Sequence, residues 1–244
     1  YGEPREFFRR TFLTIGLNDL LKEALLRLTN RGGGPVVELQ TNFGGGKTHS
    51  MLALYHLFSD VPANELAGIE RILESTGIVS APRVCRAALV GTALNPGQPH
   101  VKSDGSEIRT LWGELAWQLG GLEAYGLVAG NDANGTSPGS QVLSDLFKRF
   151  NPCLILIDEW VAYVRQAYGK TGLPGGSFDT NMTFAPDGQA KVIQPGLVGS
   201  KEDQGVLEYP WAVASILEDF FGFQPRLAFR CLPCMGLFRT QDHE

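Results

Sequence analysis

The sequence predicts an α/β domain whose mainly parallel sheet carries helices on both faces. Three observations predict it. Short apolar runs alternate with segments of helical period. A glycine-rich turn stands between the first such run and the helix that follows it. A later run, Cys153-Leu154-Ile155-Leu156-Ile157, is apolar at every position, as a central strand covered on both sides must be. The 244 residues are 43% hydrophobic and 19% charged, which suits one large or two small α/β domains and excludes a disordered chain. A formal charge of −5 excludes a globally basic nucleic-acid coat, though not a local patch.

In chain order, Leu17, Leu20, Leu21, Ala24, Leu25 and Leu28 share one face of a 3.6-residue period, so 15–28 is an amphipathic helix with Thr14 as its N-cap. Asn30-Arg31-Gly32-Gly33-Gly34-Pro35 breaks it. Val36, Val37 and Leu39 read as a strand, and Met51, Leu52, Leu54, Tyr55 and Phe58 as the helix after the glycine-rich turn. Further helices are expected over 63–75, 111–119 and 141–150, a strand over 83–92, and polar loops over 94–106 and 131–139. A helix over 212–221 is the one legible element beyond Pro186.

Four cysteines at uneven spacing do not make a secreted disulfide framework. No apolar stretch approaches a membrane span. Tyr1-Gly2-Glu3-Pro4-Arg5 has neither an apolar signal core nor an initiator Met, so a chain that begins inside a longer, cytoplasmic protein is expected.

The glycine-rich turn is Thr41-Asn42-Phe43-Gly44-Gly45-Gly46-Lys47-Thr48. A phosphate-binding loop needs consecutive backbone N–H groups curled around an anion, a helix N-terminus aimed at it, and a lysine. Gly44, Gly45 and Gly46 supply the curl, Lys47 would reach the β and γ phosphates, and the Thr48 hydroxyl would bind Mg²⁺. Thr41 stands where the usual pattern has its first glycine. The plainer reading of such a loop is a turn that caps a helix.

The apolar run ends in Asp158-Glu159. In hydrolases of this type the first acid holds Mg²⁺ and the second polarises the attacking water. Loop and acid pair each end a predicted strand, where α/β sheets bind ligands. Together they specify a P-loop NTPase with a three-layer sandwich. Thr48 and Asp158 are 110 residues apart, room for the 83–92 strand, which favours the AAA-like or RecA-like branch. No Asn/Thr-Lys-x-Asp guanine-reading motif is present.

Four segments carry a family resemblance. They are Glu6-Phe7-Phe8-Arg9-Arg10-Thr11-Phe12-Leu13-Thr14, Val37-Glu38-Leu39-Gln40 with the loop through His49-Ser50-Met51, Arg109-Thr110-Leu111-Trp112-Gly113-Glu114-Leu115-Ala116-Trp117-Gln118-Leu119, and Leu156-Ile157-Asp158-Glu159-Trp160-Val161-Ala162-Tyr163. They resemble the large prokaryotic AAA-like P-loop ATP-binding proteins of anti-phage defence islands. The resemblance spans about 5–185 and implies that Thr41 is normal there. It also implies ATP as ligand, Thr41, Asn42, Phe43, Gly44, Gly45, Gly46, Lys47, Thr48 and His49 as its binding set, Thr48 and Asp158 as Mg²⁺ ligands, and Glu159 as catalytic base. DNA methylases and helicases are the implied partners, with DNA touched indirectly and a homo-oligomer possible. Family members are longer than this chain.

On this reading 1–185 is an ATPase core and 186–244 a divergent tail, because Pro186-Asp187-Gly188 breaks the helix that relatives continue. The alternative is a nucleotide-binding regulatory module with little turnover; a kinase would need an acceptor site that is not recognisable. Bland readings compete for several other residues. Cys231 and Cys234 have the spacing of half a zinc site without a second pair. His49 could approach the nucleotide or a neighbouring subunit, or simply pack. Arg109 and Arg165 suit salt bridges, Trp112 and Trp117 core anchors, and Asp179 with Asn181 a glycine-rich loop near the site.

Overall fold

The computed structural model describes residues 2–34, 36–39, 46–184 and 211–215. Two helices, α1 (Pro4–Arg10) and α2 (Ile15–Leu28), precede β1 (Val36–Glu38) and α3 (Lys47–Leu57). A 3₁₀ turn (Ala63–Glu65), α4 (Ile69–Thr76) and β2 (Cys85–Val90) follow. A small hairpin of β3 (His100–Val101) and β4 (Glu107–Ile108) leads to α5 (Leu111–Gly126), α6 (Ala129–Asn134) and α7 (Ser140–Arg149). The described chain closes with β5 (Cys153–Asp158), α8 (Trp160–Ala167), α9 (Phe178–Phe184) and β6 (Trp211–Ser215).

Four strands form one parallel sheet in the order β1-β6-β5-β2. The α/β class with a parallel sheet is therefore as expected. The central strand β5 explains the layering. Successive side chains on a strand point to opposite faces. Leu154 and Leu156 join a core with Phe8, Leu21, Leu25, Leu54 and Leu57 of α1, α2 and α3. Cys153, Ile155 and Ile157 join a second core with Trp112, Leu115, Leu143, Phe147 and Tyr163 of α5, α7 and α8. Helices thus cover both faces of β5, and the run could tolerate no polar position.

Several elements differ from the sequence reading. The helix expected over 63–75 is interrupted at Gly68, whose backbone is left-handed at φ 82°. The loop expected over 94–106 contains β3, because Lys102 and Ser106 close a turn on which Asp104 caps the Ser106 N–H at 3.0 Å. Strands of two residues carry no readable period. The loop expected over 131–139 contains most of α6, because Asp132 is fully buried. Its carboxylate accepts from Arg109 N, Thr110 N, the Thr110 hydroxyl at 2.6 Å and the Tyr125 hydroxyl at 3.0 Å. Burial, then this last bond, pushes the Tyr125 phenol up to about 12. The helix expected over 212–221 is also corrected. Its described residues lie in β6, paired to β1 and β5 on either side, so a segment beyond 185 lies inside the sheet.

Among the described residues no helix is long and apolar enough to cross a membrane. Among the described residues no strand pairs with β2 on the side away from β5, and there one side chain meets its backbone. Gln118 accepts from Ala88 N at 2.7 Å and donates to Ala88 O at 3.1 Å, satisfying one of the pairs that an edge strand leaves open. Its amide also donates to Glu114, which is ion-paired with Lys102 at 2.6 Å. Gln118→Leu leaves both Ala88 groups unpaired and is expected to cost on the order of 2 kcal/mol, read as a lower urea midpoint at unchanged slope.

Candidate functional site

All four strands of the sheet end at one edge, at Glu38, Ser215, Asp158 and Val90. Open parallel sheets bind ligands outside this edge. Helix α3 starts there. Its N-cap, Gly46, is left-handed at φ 79°, a conformation that costs glycine nothing and lets the chain turn abruptly into the helix. Lys47, Thr48 and His49 form the first turn of α3. Asp158 is the last residue of β5. The Thr48 hydroxyl donates to Asp158 Oδ2 at 3.0 Å, so two residues 110 apart in sequence meet at the mouth of the sheet. Thr41, Asn42, Phe43, Gly44 and Gly45 lie outside the described residues.

Glu159 comes next, and its backbone is left-handed, at φ 51° and ψ 35°. Few non-glycine residues adopt this region, and such strain concentrates at functional sites. As N-cap of α8, Glu159 turns the chain from strand to helix in one residue, and its carbonyl accepts from Ala162 N at 3.0 Å. The turn is held from the side by Gly91, just past β2. Gly91 N donates to Asp158 O at 2.8 Å, and a Cβ added at Gly91 would stand 1.9 Å from Glu159 O. Gly91 is a site residue that the sequence reading missed. Its one signal was a glycine near the end of the strand expected over 83–92.

The remaining residues sort by what they touch. The His49 ring stacks on Phe7 with centroids 4.7 Å apart, and its Nε2 lies 3.1 Å from the Thr11 hydroxyl. Arg109 spends its guanidinium on Ala133 O at 3.3 Å and on Glu107 at 3.8 Å, the salt-bridged alternative. Arg165 is exposed on α8. Trp112 is fully buried against Phe184, a core anchor, and Trp117 is half-buried beside Tyr125. Asp179 and Asn181 stand on α9, not in a loop. Asn181 is buried and donates to Gly175 O and Ser177 O, so it holds the segment before α9.

Cys231 and Cys234 lie outside the described residues. Cys85 and Cys153 are free thiols on adjacent strands, and burial pushes both upward, so they remain protonated. Among the described residues no three His, Cys, Asp or Glu side chains gather to hold a metal. The adjacent oxygens of Thr48 and Asp158 are hard donors, the kind Mg²⁺ takes one or two of while drawing its other ligands from water and phosphate.

The DUF499 N-terminal domain matches residues 1–171 of the chain. The chain belongs to that family. The DUF499 match takes in Thr48, Gly91, Asp158 and Glu159 and stops before α9 and β6. No curated protein and no solved structure matches the chain.

Gly91→Ala sets a methyl group against the Glu159 carbonyl, 1.9 Å from its oxygen and 2.7 Å from its carbon, with Tyr163 Cβ at 3.2 Å, and none of these is the far end of a flexible side chain. A loss on the order of 3 kcal/mol is expected, read by urea unfolding, against less than about 0.5 kcal/mol for Gly139→Ala, where the added Cβ meets nothing within 4 Å.

Proposed function

We propose that this DUF499 domain is a P-loop ATPase module of the AAA-like or RecA-like branch. The observation that carries the reading is the Thr48–Asp158 hydrogen bond at the C-terminal edge of a parallel sheet, with Glu159 next in the chain. A bare glycine-rich helix cap does not require a carboxylate from a distant strand at its first-turn hydroxyl. A nucleotide triphosphate with Mg²⁺ requires both.

In this reading Lys47 binds the β and γ phosphates, and the main-chain N–H groups of Gly44, Gly45 and Gly46 curl around them. Thr48 and Asp158 would hold Mg²⁺, which supplies charge neutralisation along the triphosphate. Glu159 orients the attacking water and accepts its proton. Its one-residue turn after Asp158 sets the base beside the metal-holding acid while pointing the chain away into α8. Adenine is favoured over guanine because the guanine-reading motif is missing from the sequence.

The work driven by such a cycle belongs to the family resemblance of the four motifs. It points to a cytoplasmic phage-defence complex with DNA methylases and helicases, and to a site that neighbouring copies complete.

Lys47→Ala is expected to abolish Mg²⁺-dependent binding of a fluorescent ATP analogue, with the circular dichroism spectrum unchanged. Retained affinity in that variant overturns the phosphate site. Glu159→Gln is expected to keep binding and to lower turnover by about 10²-fold or more. Nucleotide binding with no turnover above background in either wild type or Glu159→Gln makes the protein a nucleotide-binding module without hydrolysis.

A further inference from the structure

Helix α1 is short but firmly seated. Glu3 caps it by accepting from Glu6 N at 2.7 Å, Phe7 and Phe8 are buried, and Arg5 is ion-paired with Glu65 of the 3₁₀ turn. Its packing partner is α3, and the contact reaches both the first and the last turn of that helix. The Phe7 ring stacks on His49 of the first turn at 4.7 Å with 29° between the planes, and tilts against His56 of the last turn at 4.9 Å.

The polar half of the contact determines a tautomer. Thr11 Oγ1 has one hydrogen, and it donates that hydrogen to Phe7 O at 2.7 Å. Towards His49 Nε2, 3.1 Å away, the same oxygen can therefore only accept, so Nε2 carries a proton. The imidazole is held on one face by an aromatic ring and at one corner by a hydroxyl. Rotation of the ring would break both contacts.

His49 follows Lys47 and Thr48 without interruption in one helical turn. A turn of α-helix moves as a unit, because its residues share a hydrogen-bonded backbone. Holding the His49 ring therefore holds the Lys47 and Thr48 backbone. We infer that His49 is a positioning residue, clamped between Phe7 and Thr11, through which α1 sets the triphosphate affinity of the α3 first turn. The inference rests on the proposed function for the site and departs from the sequence expectation for His49, since the ring serves α1 and not the nucleotide. By linkage, a bound nucleotide must tighten α1 by the same factor that α1 tightens the nucleotide.

The test uses the 244-residue chain and N-methylanthraniloyl-ATP with Mg²⁺. His49→Ala is expected to raise Kd about tenfold, and His49→Gln, which keeps a donor for Thr11, to recover most of the loss. Thr11→Val, close in shape and lacking only the hydroxyl, is expected to raise Kd about threefold and serves if His49→Ala fails to fold. Saturating nucleotide is expected to slow amide exchange across Phe7, Phe8 and Arg9 in the wild type and not in Thr11→Val. If the wild type binds, Lys47→Ala loses binding, and Thr11→Val matches the wild type in both Kd and α1 exchange, the clamp is overturned while the phosphate site stands. If the wild type binds no nucleotide, the proposed function falls and the clamp falls with it.

Discussion

Strand β5 has no solvent side, and the rest of the fold follows from that constraint. Its backbone groups are paired laterally by β2 on one side and β6 on the other. Leu154 and Leu156 need a layer of helices on one face, and Cys153, Ile155 and Ile157 need another. Taking apolar surface from water stabilises by roughly 25 cal/mol per Å², so each fully covered Leu or Ile contributes about 2 kcal/mol. The first polar residue, Asp158, is where burial relaxes, and there the strand ends. The acid at the mouth of the sheet is thus a consequence of where the core stops.

The same boundary gathers the candidate chemistry. Asp158 cannot be carried deeper without an unpaired buried charge. Glu159 absorbs a left-handed backbone so that α8 can turn back and supply Trp160, Tyr163 and Val164 to the second core. Gly91 fills the space beside that turn, which links β2 to the acids without any side chain of its own. On the opposite side the first core carries α3, and its first turn brings Thr48 to Asp158. The two cores meet the C-terminal edge of the sheet from either face of one strand.

Much of this was readable from local pattern. The period of Leu17 to Leu28 marked α2 with Thr14 as its cap, whose hydroxyl accepts from Leu17 N at 3.2 Å. The apolar run marked β5 to within a residue. Thr48, Asp158 and Glu159 were named from a loop motif, strand-end acids and a family resemblance, and the structure brings Thr48 and Asp158 together. Two-residue strands were not legible because they are too short to carry a period, and a six-residue helix organised by a buried Asp132 and a strand at 211–215 were not, because partners elsewhere in the chain decide them. The glutamine that pairs Ala88 on β2 looks like any other polar residue on a helix.

By itself the sequence determined which segments must be buried and where they must stop. Periodicity and uninterrupted apolarity are local statements about burial, and strand and helix ends follow from where they fail. Only the tertiary structure decided which ends meet. Strand order, the approach of Gly91 to Glu159, the carboxylate at Asp132 and the seat of His49 between Phe7 and Thr11 are contacts across the chain. No local pattern encodes them, since each depends on how distant surfaces pack once their apolar faces are covered.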